Sequence, residues 1–399
     1  MSRWLTIVGI GEDGLDGLSA AARTLIDTAE ILIGGARHLA FVPDRPGQTR
    51  LAWSSPLMAM AERIGEHKGR RVTVLASGDP MWCGIGGTLG RFVPASEMLI
   101  LPHAGAFSLA AARMAWSLDE VECLTLHGRP LEQLALYLYP GARLLILSEN
   151  GRTPAAVAAF LARRGFASAE ITVLEHMGGP QENVKAGRAD PWPHPACADL
   201  NTLAVQLRDG PGLSRLPGLD DDLYLHDGQI TKREVRAVTL AKLAPCPGDL
   251  LWDVGAGAGS VGIEWLRSHR ANRAIAIEQN ESRRSNIAQN AAALGVPQLE
   301  IRAGSVPAAL DGLPAPDAIF IGGGILTDGL VERCWNALKP GGRLVANVVT
   351  MEGEAAVAAA RRAYGGDLAR LGVQRAEPVG RYHGWYAMMP VTQWNTVKE

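Results

Sequence analysis

Short apolar runs alternate with alanine-rich segments of helical period through the first half of the chain. LTIVGI (5–10), ILIG (31–34), RVTVLA (71–76), MLIL (98–101), RLLIL (143–147), EITVLE (170–175) and LNTLAVQL (200–207) each have the length and aliphatic content of a buried strand. Strands separated by helices predict an α/β fold. From 208 to 222 the periodicity is lost in a run dense in Gly, Pro and acidic residues, the composition of a connector. A second alternation then begins, with a helix expected near 232–243 and strands at 250–254, 274–278, 299–303, 318–321 and 343–349. Two further strands are expected near 368–376 and 382–389 with no helix between them. That arrangement predicts an antiparallel last strand in an otherwise parallel sheet, because a parallel pair would need a crossover. The expected organisation is a domain over 1–207, a linker over 208–222 and a second domain over 223–399.

The length of 399 residues supports two cores rather than one. Hydrophobic residues make up 47% and charged residues 20%, which leaves little room for extensive disorder. The formal net charge of -2 argues against a nucleic-acid partner, which a near-neutral chain has no long-range field to attract. The five cysteines are scattered and never in a C-x-x-C arrangement, so neither a disulfide framework nor a zinc site is expected, and a reducing cytoplasm fits. No histidine spacing suggests a metal. The N-terminal apolar run is too short for a signal peptide, and the most apolar stretch, 98–118, is broken by Pro102, His103 and Arg113. Neither export nor membrane anchoring is expected.

The strongest chemical signal is in the second half. The apolar strand ending at Asp253 runs into Gly255-Ala256-Gly257-Ala258-Gly259 and then a helix, and Glu278 follows at the end of the next strand. Such glycines permit a sharp turn and close approach of a ligand to the main chain, and a strand-end carboxylate can accept hydrogen bonds from both ribose hydroxyls. A dinucleotide would favour G-x-G-x-x-G without an acid at the strand end. S-Adenosylmethionine carries a sulfonium and an ammonium and no phosphate, so Asp253 suits it better; a dinucleotide remains the alternative.

With Asp221-Asp-Leu-Tyr-Leu-His-Asp-Gly-Gln-Ile-Thr-Lys-Arg-Glu-Val-Arg236 and Ile319-Phe-Ile-Gly-Gly-Gly324, residues 220–399 resemble the CbiT family of precorrin methyltransferases. The resemblance implies a Rossmann-like methyltransferase fold in which Thr231, the Gly255–Gly259 loop and Glu278 hold the methyl donor. It also implies that Gly322, Gly323 and Gly324 leave space for a tetrapyrrole. One departure is Gly304-Ser305-Val-Pro, where the family commonly has Gly-Asp-Ala-Pro; Ser305 or a backbone carbonyl would then meet the adenine.

In the first half, glycines and acids interleave after the first strand (Gly9, Gly11, Glu12, Asp13), a poor cradle for phosphate, and no Gly-Lys-Ser/Thr of a P-loop follows. Ser77-Gly78-Asp79-Pro80 comes directly after a buried strand, where α/β proteins bind ligands. Together with Val8-Gly-Ile-Gly11, Ala104-Gly-Ala-Phe-Ser-Leu109, Leu126-His-Gly-Arg129 and Glu175-His-Met-Gly-Gly-Pro-Gln-Glu182, these residues resemble the tetrapyrrole methylase family, in particular its CbiE branch. That resemblance implies a two-lobed methylase fold whose donor is contacted by Gly9, Ser77, Gly78, Asp79, Met81, Ala106, Phe107 and Ser108. His127 and Arg129 are candidates for the carboxylates of a tetrapyrrole.

Joined, the two resemblances imply methylation of a precorrin at carbons 5 and 15 with decarboxylation of the ring C acetate in cobalamin biosynthesis. They imply one S-adenosylmethionine site per domain, the first half serving carbon 5 and the second carbon 15 and the decarboxylation, and self-association into a homo-oligomer. Tyr224, His226, Asp227 and Lys232 are the candidate proton donors. Two alternatives stay open: a two-site methyltransferase of another corrinoid precursor, and a C-terminal methyltransferase regulated by a non-catalytic nucleotide-sensing N-terminal module.

Overall fold

The computed structural model describes residues 3–399, which fall into two compact units. One comprises the chain up to Arg129 together with Tyr139–Pro211; the other comprises Pro130–Leu138 and Gly212–Glu399. Each is described by itself.

The first unit has two five-stranded sheets. β1 (Leu5–Ile10), β2 (Ile31–Gly34), β3 (Thr49–Ala52), β4 (Val72–Ser77) and β5 (Met98–Leu101) form a parallel sheet in the order β3-β2-β4-β1-β5. A parallel sheet is covered on both faces, so its inner strands are continuously apolar. On β1, Leu5 and Ile7 enter one core while Val8 and Ile10 enter the other. The second sheet is mixed, with β6 (Glu122–Thr125), β7 (Arg143–Leu147), β8 (Glu170–Glu175), β9 (Asn183–Arg188) and β10 (Asn201–Gln206) in the order β6-β7-β10-β8-β9. β3, β6 and β9 were not expected. They carry exposed or half-buried residues, without the apolar run that marks a buried strand.

The second unit has a seven-stranded sheet in the order β13-β12-β11-β14-β15-β19-β16. β11 (Leu250–Val254), β12 (Arg273–Glu278), β13 (Glu300–Ala303), β14 (Ala318–Ile321) and β15 (Arg343–Val348) are parallel. β19 (Val391–Val397) lies antiparallel to both β15 and β16 (Asp367–Leu371). The tail thus differs from the two strands expected. β17 (Gln374–Val379) and β18 (Tyr382–Ala387) form a separate hairpin, and the inserted antiparallel strand is β19.

The Gly- and Pro-rich stretch expected as a linker is partly built into this unit. Leu219 is buried in its core, and the amides of Gly218 and Leu219 donate to Glu264 at 2.7 and 3.1 Å. Residues 130–138, expected in the first domain, also belong to the second unit. No helix among the described residues is long and apolar enough to cross a membrane.

Candidate functional site

In the second unit, the carboxyl ends of β11, β12 and β14 meet. Gly255, Gly257 and Gly259 all have positive φ, at 70°, 58° and 75°, a region that only glycine enters without penalty. The amides of Gly255 and Ala256 both donate to the Ile277 carbonyl, at 3.0 and 3.1 Å. The Gly257 amide donates to Glu278 Oε2 at 2.9 Å, and the Asn280 amide to Oε1 at 2.9 Å. Glu278 is therefore a buried carboxylate fixed at the strand end, with lone pairs left to accept further hydrogen bonds. A Cβ on Gly255 would fall 2.8 Å from Gly323, and one on Gly257 would fall 2.8 Å from the Gln229 carbonyl. Three backbone segments remote in sequence, around 229, 255–257 and 322–323, are packed at distances that a side chain would forbid.

Asp253 stands apart from this surface. It is 1% exposed, and its Oδ2 accepts the Gly262 amide at 2.9 Å, tying the strand end to the helix Ser260–Ser268. Its other oxygen is buried without a hydrogen-bond partner. Burial, aided by the charge of Glu278, pushes its carboxyl up to about 7. The Gly262 bond gives Asp253 a role in positioning the glycine loop. Gly304 (φ +140°) and Ser305 lie on the loop after β13, where the Ser305 carbonyl accepts from Ala309 at 3.0 Å.

The four candidate proton donors separate. Tyr224 is 4% exposed and its hydroxyl donates to Glu264 at 2.9 Å, within a buried network that includes Arg236 Nε on Glu264 Oε1 at 2.6 Å. Burial pushes its phenol far above the ordinary range, so its proton is committed to this network. Asp227 accepts from Arg283 Nε at 2.8 Å and from the Gln229 amide at 3.1 Å, and the Arg283 hydrogen bond holds it below the usual carboxylate range. An ionised acid cannot donate a proton. His226 Nδ1 accepts the Gly228 amide at 3.0 Å, so the neutral ring carries its proton on Nε2. Lys232 precedes the helix Arg233–Leu243 and is half-buried. Thr231 lies beside it, its carbonyl accepting from Arg236 Nη1 at 2.6 Å. Asn290, which local pattern did not single out, ties Leu225 to Ala258 through bonds of 2.7 and 3.0 Å.

In the first unit the carboxyl ends of β1, β4 and β5 meet in the same way. A Cβ on Gly9 would lie 2.0 Å from the Gly78 carbonyl, and one on Gly78 (φ +55°) 2.6 Å from Gly105 Cα. Gly105 precedes the helix Ala106–Met114, which carries Ala106, Phe107 and Ser108. The structure thus gathers the strand-end segments of this unit at one edge. Asp79 Oδ1 accepts the Met81 amide at 2.8 Å, while Met81 itself is exposed. Phe107 is buried against the exposed Trp82, ring centroids 5.8 Å apart.

Around this edge lies a polar cluster that the sequence pattern did not reveal. Arg37 pairs with Glu12 at 2.8 Å and reaches Ser77 Oγ at 3.3 Å. His38 Nε2 lies 3.0 Å from Ser77 Oγ; burial, then the Arg37 charge, lowers its pKa to about 4, so it is neutral. His127 and Arg129 are exposed beyond β6, with neither side chain in an ion pair among the described residues.

The chemistry of these edges fits S-adenosylmethionine. Residues 253–259 carry no Lys or Arg, and the Glu278 side chain faces the glycine loop, a charge balance suited to a cationic, phosphate-free ligand. In the first unit Asp13 follows Gly11 closely, while the charge of Glu12 is balanced by Arg37 at 2.8 Å.

Comparison with known proteins accounts for nearly the whole chain. The family described as Tetrapyrrole (Corrin/Porphyrin) Methylases matches residues 4–191, and the family described as Precorrin methyltransferase domain matches residues 222–398. A precorrin-6Y C(5,15)-methyltransferase [decarboxylating] from Sinorhizobium sp is 45% identical over 100% of this chain and 97% of its own length. A protein of the same name from Mycobacterium tuberculosis is 40% identical over 99% of this chain and 100% of its own. Among solved structures, the C-terminal domain of precorrin-6Y C5,15-methyltransferase from Rhodobacter capsulatus is 45% identical, covering 47% of this chain and 100% of that one, with a TM-score of 0.44.

Proposed function

The chain belongs to the precorrin-6Y C(5,15)-methyltransferase (decarboxylating) family, and on that premise we propose that it methylates its precorrin at carbons 5 and 15, with two donor sites, one in each unit. The reaction removes the ring C acetate carboxyl as carbon dioxide and yields precorrin-8X in cobalamin biosynthesis. The first unit serves carbon 5; the second serves carbon 15 and the decarboxylation. The observation that carries the two-site reading is that each unit closes glycines against backbone at its strand ends, Gly9 on Gly78 and Gly255 on Gly323.

S-Adenosylmethionine supplies an already activated methyl group, so the protein has chiefly to align and enclose. In the second unit, Thr231, Gly255–Gly259, Glu278, Gly304 and Ser305 hold the donor, and Gly322–Gly324 leave room for the macrocycle. Asp253 keeps the glycine loop in register with the helix behind it. In the first unit, Gly9, Ser77–Asp79, Met81 and Ala106–Ser108 hold the donor, and the unpaired Arg129 and His127 meet substrate carboxylates. Loss of carbon dioxide leaves the electron pair of the broken C–C bond in the conjugated ring, which accepts it once an imine nitrogen is protonated. His226, whose neutral ring presents Nε2–H, donates a hydrogen bond to that nitrogen and orients it, while the proton itself comes from water, since a neutral imidazole giving up its proton would become an imidazolate.

The test is calorimetry with S-adenosylhomocysteine on the full chain, followed by product analysis with precorrin-6Y. Two equivalents are expected. G78A, which would place a Cβ 2.6 Å from Gly105 Cα, should abolish the carbon 5 product alone, and E278A should abolish carbon 15 methylation and decarboxylation. A single equivalent, or the reversed pattern of products, overturns the assignment.

A further inference from the structure

β8 ends at Glu175, and the next residue, His176, has a φ of +48°. A left-handed backbone is unfavourable for a residue with a Cβ, and such strain persists where surrounding contacts impose it. Here three contacts do so. Glu12, in the loop after β1, sets Oε2 3.1 Å from His176 Nδ1. Gly179 packs so closely on Glu12 that a Cβ there would fall 2.7 Å from Glu12 Cβ. The Gly178 amide donates at 2.7 Å to Glu182, which is paired with Arg113 at 2.6 Å.

Glu12 is fixed on its other oxygen by Arg37, and Arg37 also reaches Ser77, the first residue of the Ser77–Asp79 segment. The 176–179 turn therefore belongs to the edge that gathers the strand ends of this unit, with Asp13 and His103, 3.5 Å apart, alongside. A carboxylate can only accept, so Nδ1 is the donor and the neutral ring leaves its lone pair on Nε2. Nε2 has no partner among the described residues, and a quarter of the side chain is open to solvent. His176 and Glu12 thus form a dyad whose far nitrogen is free to accept a proton, the reverse of His226, whose far nitrogen carries one.

We propose that His176 is a catalytic residue for methylation at carbon 5, its Nε2 taking the proton that leaves the macrocycle. This rests on the activity assigned above. As an enamine carbon bonds to the methyl group, the enamine π pair forms the C–C bond and the C–S pair remains on sulfur. Positive charge then resides on the ring nitrogen. Transfer of its N–H proton to Nε2 restores a neutral macrocycle, and the Glu12 carboxylate stabilises the imidazolium that results.

The test uses the full chain with precorrin-6Y and S-adenosylmethionine. H176G keeps a residue suited to the left-handed backbone, and its carbon 5 methylation should fall ~10²–10⁴-fold. Carbon 15 methylation, carbon dioxide release and two equivalents of bound S-adenosylhomocysteine should persist, and added imidazole should restore the carbon 5 product. Independently of turnover, ¹⁵N-histidine spectra should show His176 as the Nδ1–H tautomer, a signature lost in E12A, which removes the acceptor. A wild-type rate at carbon 5 in H176G, failure of imidazole rescue with donor binding intact, or an Nε2–H tautomer in the unaltered protein would each overturn the proposal. Failure of the unaltered chain to methylate carbon 5 is seen before any substitution; it sinks the assigned activity, and this role with it.

Discussion

Gly255 and Gly323 meet main chain to main chain: a Cβ built on Gly255 would lie 2.8 Å from both the nitrogen and the Cα of Gly323. The contact joins the loop after β11 to the loop after β14, and the two glycines differ in what they tolerate. Gly255 has φ +70°, whereas Gly323 is not in the left-handed region and a Cβ on it would sit 3.7 Å from Gly255 Cα, an ordinary contact. G255A should lose S-adenosylhomocysteine binding in the second unit and destabilise it by about 1–3 kcal/mol from backbone strain, more with the collision. G323A should fold and bind the donor normally but raise KM for the precorrin. Calorimetry, thermal melting and steady-state kinetics separate the two.

The Arg236–Glu264 pair is fully buried, with Nε on Oε1 at 2.6 Å. Arg236 also pairs with Asp221 at 3.1 Å, so neutralising Glu264 leaves the buried guanidinium with one carboxylate instead of two, at a cost towards or below the low end of the about 3–5 kcal/mol for a fully broken buried pair. E264Q should lower the urea midpoint accordingly, and E264L/R236M should not recover the loss, because the Gly218 and Leu219 amides and the Tyr224 hydroxyl are then left without their acceptor. Y224F removes only one hydrogen bond to that carboxylate and should cost about 1–3 kcal/mol. Its decarboxylation rate should be unchanged, since the Tyr224 hydroxyl is bound to Glu264.

Arg283 and Asp227 hold the loop that crosses Gly257, Gln229 lying against that glycine. D227N should therefore weaken donor binding in the second unit several-fold while leaving release of carbon dioxide from the bound substrate nearly intact. H226Q, which moves the hydrogen-bond donor, should by contrast cut carbon dioxide release by ~10²–10³-fold. Trapped carbon dioxide, measured at saturating donor, distinguishes the two; loss in D227N alone would return the proton to the acid.

Asp253 makes stability depend on pH with a sign that can be stated. In the unfolded chain its pKa lies near the ordinary value of about 4, whereas burial raises it to about 7 in the folded protein. Between those values the folded state binds more protons, so its stability falls as pH rises through the window and the contribution is level above it. D253N should flatten this decline. Urea midpoints of both proteins at pH 5, 6, 7 and 8 check it, and an unchanged slope in the variant would assign the effect elsewhere.

Most strands that local pattern locates are largely buried, as β1, β2, β7, β8, β11 and β14 are, although β5 and β13 lie where expected with mainly half-buried or exposed residues. β19 shows the opposite case. VTQWNTV looks polar, yet Thr392, Gln393, Trp394 and Thr396 are buried, the strand lying between β15 and the edge strand β16. Gln393 is accommodated because its amide donates to Thr239 and Asn347 at 3.1 and 2.9 Å, partners 154 and 46 residues away. Buried polar groups need partners, and nothing local discloses them.

The site divides in the same way. By itself the sequence determined where the backbone must turn and admit a ligand, through glycines at 9, 78, 255, 257 and 259, and it carried the family resemblance. Backbone freedom is a property of the residue itself, so it is written locally. Only the tertiary structure decided which acids are exposed and ionised, which are buried behind the glycine loop, and which histidine nitrogen carries the proton. Those depend on burial and on hydrogen bonds between residues as distant as Glu12 and His176, separated by 164 positions, and such pairings leave no periodic trace along the chain.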